Sequence, residues 1–126
     1  PGRDAVERWS ILYNGACAAV RAACGDGDDA ETLDAATRSQ LRRQALDWLR
    51  EACGQKVSAV AGADVSTAAK SRDNLAHSLV DPDFDSVRSP EALAKLPPDE
   101  RAAWARLWAE VDRAVRSFSG RSEGGK

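Results

Sequence analysis

The sequence predicts an all-α fold of about four to five helices. Three observations carry that expectation. Alanine is abundant while β-branched residues are scarce, apolar residues recur every three or four positions over long stretches, and proline or glycine separates one stretch from the next. The 126 residues fit one domain, read as residues 1–118 with a disordered polar tail at 119–126, and 43% hydrophobic with 30% charged residues is ordinary for a globular chain.

The first helix is expected from about Asp4 to about Cys24, where Ala5, Trp9, Leu12, Ala16, Ala19 and Ala23 form one stripe. The turn-rich Gly25-Asp26-Gly27-Asp28-Asp29 stops it, and Thr32 to Ala36 adds a short turn. A second helix follows from about Ser39 to Val60, with Leu41, Ala45, Trp48, Leu49, Ala52 and Cys53 on one side. It continues through Gly54, although an interior glycine costs about 1 kcal/mol relative to alanine.

Asp64 is a suitable N-cap for a third helix that reaches about Val80 through Ala68, Leu75, Ala76 and Leu79. Its weak apolarity places it at the edge of the fold. Pro82 ends it, and Asp83-Phe84-Asp85-Ser86-Val87 reads as a tight turn that tucks Phe84 and Val87 into the core. Ser89-Pro90-Glu91 then supplies a cap, a first helical position and an acidic first turn for a short helix, Ala92 to Leu96.

Pro97-Pro98-Asp99-Glu100 opens the last helix, in which Trp104, Leu107, Trp108, Val111, Val115 and Phe118 follow the i, i+3, i+4, i+7 pattern. On its other face Arg106 with Glu110, and Asp112 with Arg116, stand at i, i+4 spacing for ion pairing, and the glycine-serine tail begins at Ser119.

Charge excludes several partners. The net charge is −2 and both halves are balanced, so neither offers the polycationic face that nucleic acid or anionic lipid requires. Arg38, Arg42 and Arg43 form the only local basic cluster, with Glu31, Asp34 and Asp47 beside it, which reads as a solvated helix face. The apolar runs fall far short of the roughly 20 residues of a membrane helix, and three cysteines without a framework spacing point to reduced thiols. A cytoplasmic chain is expected. The chain contains no methionine and opens on Pro1-Gly2, which suggests an excerpt of something longer.

Catalytic and metal signatures are equally sparse. Cys17, Cys24, Cys53 and His77 lack the close ligand pairs of zinc sites and read as small buried thiols and a surface or boundary histidine. Asp81-Pro82-Asp83-Phe84-Asp85 imitates a calcium loop, but Ser86 stands where glycine is needed and Ala92 where a bidentate glutamate belongs; Asp26-Gly27-Asp28 fails the same comparison at Glu31 and Thr37. No phosphate loop, dinucleotide fingerprint or H-E-x-x-H motif occurs. No cofactor, metal or catalytic residue is therefore expected. Trp48 and Trp104 read as core, whereas Trp108 either completes the core or lines an apolar groove that captures a partner.

Leu12-Tyr13-Asn14-Gly15-Ala16 resembles the first helix of a tetratricopeptide repeat, in which small residues let the second helix approach closely, and Ala45, Leu49 and Ala52 resemble the small-large-small pattern of that second helix. From about Trp9 to about Val115 the chain is similar to the carboxy-terminal region of large bacterial multidomain proteins in which a serine/threonine protein kinase domain or WD40 propeller precedes such repeats. The segment "DPDFDSVRSPEALAKLPPDERAAWARLWAEVD" is the most specific part. The departures are a long Gly25–Gln40 segment, Gly15 in place of a leucine, and no proline closing the second helix near Val57.

The resemblance implies an antiparallel helical hairpin with capping helices, a degenerate terminal repeat. Its kinase motifs are not in this chain, so no catalytic role carries over. What it implies instead is a non-enzymatic module that binds a protein or peptide partner, or caps adjacent repeats of the parent; of the repeat's peptide-contacting positions only Asn14 matches by residue type, and Tyr13 beside it and Trp108 of the last helix are the other partner-binding candidates. The alternative is a small helical-bundle enzyme or ligand- or metal-binding domain using Cys17, Cys24 and His77, which a pocket gathering those side chains beside a carboxylate would favour. Self-association through the last helix is a third reading.

Overall fold

In a computed structural model of the chain, residues 2–23, 34–62 and 64–124 are described, with side chains from 7 to 118 within those bounds. The elements in chain order are α1 (Gly2–Ala23), α2 (Ala35–Val60), α3 (Val65–Val80), a 3₁₀ turn (Pro82–Val87), α4 (Pro90–Leu93) and α5 (Pro98–Gly124). The all-α expectation holds, and among the described residues there is no strand.

Local chemistry sets the boundaries. Asp34 caps α2 by accepting a hydrogen bond from the Thr37 amide at 2.7 Å, so the helix opens at Ala35 and absorbs residues that the sequence reading gave to a separate turn. Asp64 caps α3 in the expected place, accepting from the amides of Ser66 and Thr67. The Ser89 hydroxyl accepts from the Ala92 amide at 3.2 Å, with Pro90 in the first position of α4. α5 runs to Gly124, past Phe118 into the segment read as a tail; Ser119-Gly120-Arg121-Ser122-Glu123 contains no proline to interrupt its hydrogen bonding.

α2, α3 and α5 pack against one another, and α1 lies beside α2 as the other arm of a hairpin. Close approach within that hairpin follows from size. A Cβ on Gly15 would stand 3.2 Å from two ring carbons of Trp48, tighter than ordinary van der Waals contact, so glycine lets the half-buried indole lie on α1. Ala16, Val20, Ala45 and Leu49 are fully buried in the core these helices share. Arg8 pairs with Glu51 across the outside of the hairpin.

α3 does not lie at the edge. It packs between α2 and α5, burying Ala68, Ser71, Leu75 and Ser78. Small side chains permit this, and the Ser78 hydroxyl donates to the Leu75 carbonyl at 2.6 Å, so its burial leaves no polar atom unsatisfied. Low hydrophobicity had suggested an edge, yet here it reflects close packing.

Beyond α3 the 3₁₀ turn buries Phe84 and Val87 completely, as the sequence predicts. Phe84 meets Tyr13 of α1 edge-on with ring centroids 5.4 Å apart and Trp108 of α5 at 5.7 Å. Arg88 fastens the turn: its guanidinium donates to the Ser78 and Asp81 carbonyls at 3.0 and 2.8 Å and to the Asp85 carboxylate at 2.6 Å, and it lies over the Trp108 ring. At the same end of the bundle, the starts of α2 and α5 are joined by Arg42 and Ser39, both donating to Glu100.

Candidate functional site

Two regions have enough structure to be weighed: a polar cluster where α1 meets the end of α3, and the outer groove between α2 and α5.

The cluster is built on Asp81, the residue between α3 and the 3₁₀ turn. Its carboxylate caps the turn by accepting from the Asp83 amide at 3.0 Å and accepts the Tyr13 hydroxyl at 2.6 Å, while His77 Nε2 lies 3.4 Å from the same oxygen. Burial pushes the Asp81 pKa up, but the Tyr13 hydroxyl, the Asp83 amide and the electrostatic influence of His77 and Arg88 outweigh it, so the carboxyl sits below its ordinary value. Tyr13 is shifted the other way: burial first, then its hydrogen bond to Asp81, raise the phenol far above normal.

Cys17 stands one helical turn beyond Tyr13, and its sulfur lies within 4.8 Å of carboxylate oxygens of Asp81 and Asp83. Burial, then the negative charges of those two aspartates, pushes its pKa up to about 12. A thiol held protonated beside carboxylates is a poor nucleophile. Cys53, buried on α2, is likewise raised to about 12, by desolvation alone. Both thiols are free, as the sequence reading expects, and Cys24 lies outside the described residues.

The structure therefore brings Cys17 and His77 to one carboxylate, which sequence reasoning named only as a condition. It does not make a partner surface of Tyr13 and Trp108. Both are buried: Tyr13 is enclosed by Trp9, Phe84 and Asp81, and Trp108 fills the core while its indole N–H donates to the Val87 carbonyl at 2.9 Å. For Trp108 the core alternative is the one realised, because the 3₁₀ turn supplies both an apolar ring and a carbonyl for its polar edge. Of the three candidates only Asn14 is exposed.

The groove is the second region. α2 and α5 run parallel, and the trough between them, which no α3 residue lines, is lined along its distal half by Arg50, Gly54 and Val57 of α2 and by Arg106, Glu110 and Arg113 of α5. Its floor is the buried edge of Cys53, Val60, Leu107, Val111 and Ala114. A Cβ on Gly54 would meet nothing within 4 Å, so this chain's own packing does not require glycine there.

Arg106 and Glu110, expected to pair, do not; among the described residues Arg50, Arg106 and Arg113 also lack an ion-pair partner, whereas Asp112 and Arg116 pair at 2.8 Å as expected. Sequence reading treated Gly54, an interior helix glycine, only as a weakness in the helix and did not see its open surroundings.

No family model, curated protein or solved structure matches this chain. Among the described residues no helix is long and apolar enough to cross a membrane.

Proposed function

We propose that this chain is a non-catalytic, tetratricopeptide-like helical module that binds a protein or peptide partner or caps adjacent repeats of a longer protein. The observation that carries the reading is the α2/α5 groove, an exposed trough with an apolar floor, arginines without an ion-pair partner among the described residues and a glycine its own fold does not need. The α1–α2 hairpin, closed by Gly15 against Trp48, supports the repeat-like character. The polar cluster at Asp81 supports it too, since its hydrogen bonds hold α1 to the end of α3.

The test is site-specific photocrosslinking in the cells that make the protein. A photoreactive residue is placed in turn at Gly54, at Asn14 and at Lys70, all exposed. The module reading expects a discrete adduct to one identified protein, or to another part of the same parent, from one of these faces. No adduct from any of them overturns it.

A second reading is favoured by one observation, the convergence of Cys17, Asp81 and Asp83 with His77 nearby: a metal-binding site of mixed sulfur, oxygen and nitrogen donors suited to zinc or cobalt.

A further inference from the structure

Along the distal half of the groove the lining alternates as two helical faces do. Arg50, Gly54, Val57 and Ala61 succeed one another at three- and four-residue steps on α2, and on α5 the same spacing separates Arg106, Glu110 and Arg113. Parallel ridges at this period form the seat into which the side-chain rows of another helix pack. From position 50 to position 61 the trough is about 16 Å long at 1.5 Å per residue, about three turns of an occupant.

The occupant's chemistry follows from the rim and the floor. Arg50, Arg106 and Arg113 face a single acid, Glu110, on the surface of a chain whose net charge is −2. Toward the other end of the groove, which Arg50 also borders, acids and bases match: Asp47, Asp99 and Glu100 stand with Arg43, Arg50 and the Arg42 that holds Glu100. The positive stretch thus coincides with Gly54, where the absent side chain lets a neighbouring backbone approach closely. The floor is recessed between two helices, a shape that admits a side-chain ridge rather than a flat lipid surface.

We infer that the distal α2/α5 groove receives an acidic amphipathic helix of about three turns, its apolar ridge over Gly54 and Val57 and its carboxylates on Arg50, Arg106 and Arg113. This rests on the interaction-module reading and names the partner class for it. Steering by unpaired arginines gives the site its selectivity, and burial over the glycine gives it a fixed seat.

The test uses the full chain and two synthetic helical peptides, both with leucines at i, i+3, i+4 and i+7, one flanked by glutamates and the other by lysines, followed by calorimetry and amide chemical-shift mapping. The glutamate peptide is expected to bind at least about tenfold more tightly than the lysine peptide and to shift resonances along residues 50–61 and 106–117. Gly54→Leu should weaken it about tenfold or more with no loss of thermal stability. The Arg106→Glu, Arg113→Glu double variant should reverse the peptide preference, which keeps the test decisive if Gly54→Leu fails to fold.

Equal binding of the two peptides, shifts centred on the exposed Ile11 or Val80 instead, or no saturable binding at millimolar peptide overturns the inference. So does binding only to phosphatidylserine vesicles, or a dimer that protects the groove. A crosslinked partner at Gly54 alongside a failed glutamate peptide would discard the acidic helix and leave the module reading intact, whereas failure of both experiments would discard both.

Discussion

Replacing Tyr13 with phenylalanine isolates one oxygen atom. The ring would keep its contacts with Trp9 and Phe84, so the loss is confined to the 2.6 Å hydrogen bond that the hydroxyl donates to Asp81. Asp81 is only 8% exposed, and after the change its carboxylate retains the Asp83 amide and the more distant His77. A hydrogen bond to a charged, buried acceptor contributes about 1.5–3 kcal/mol, so Tyr13→Phe should cost about 2 kcal/mol at pH 7. In a domain of this size that lowers Tm by roughly 6–10 °C.

The cost should depend on pH with a definite sign. Asp81 titrates below its ordinary value, so its contribution is complete above the unfolded carboxyl range near about 3.9 and disappears as pH falls through the lower folded pKa. Without the phenol the Asp81 pKa rises, and the gap between wild type and variant shrinks on acidification. Urea unfolding followed by far-ultraviolet circular dichroism at pH 7 and at pH 3 measures both quantities. A difference under about 0.5 kcal/mol at pH 7, or one that grows on acidification, would refute the claim that the Tyr13–Asp81 hydrogen bond ties α1 to the residue that ends α3.

Three further outcomes are expected. Trp104→Ala should lose about 3–5 kcal/mol, because Trp104 is 1% exposed and stacks on Trp108 at 6.0 Å; a variant melting like the parent would remove Trp104 from the core. In a Cys24→Ser background, Cys17 and Cys53 should react with a disulfide reagent at pH 8 only as fast as the protein opens, since both thiols stay protonated and buried; prompt stoichiometric labelling would contradict their placement. Cobalt(II) added to the folded protein should give no thiolate-to-metal charge-transfer band at micromolar metal, since Asp81 already accepts from Tyr13 and Asp83; a band lost in Cys17→Ser would establish the metal-site reading instead.

Periodicity made most of the architecture legible. The stripe from Trp104 to Val111 and the caps at Asp64 and Ser89 name their elements because apolar spacing and capping chemistry are local properties. The position of α3 was not legible, since Ser71 and Ser78 look like surface residues until close helix packing and the Leu75 carbonyl account for them. Tyr13 resembled a ligand-contacting aromatic for a similar reason: its partner, Asp81, lies 68 positions away in sequence, and no local pattern announces a pairing at that range. Gly54 was visible all along, but its empty surroundings are a property of three dimensions.

Phe84 gives the chain an interdependence that its helical content does not suggest. One phenyl group touches the first helix through Tyr13 and the last through Trp108, so two helices far apart in sequence share a contact at Phe84. Cutting on either side of that ring would yield two fragments, neither able to complete an interior by itself. Such distant joining lengthens the search for the native arrangement beyond what a simple up-and-down bundle needs, and makes melting a single concerted event.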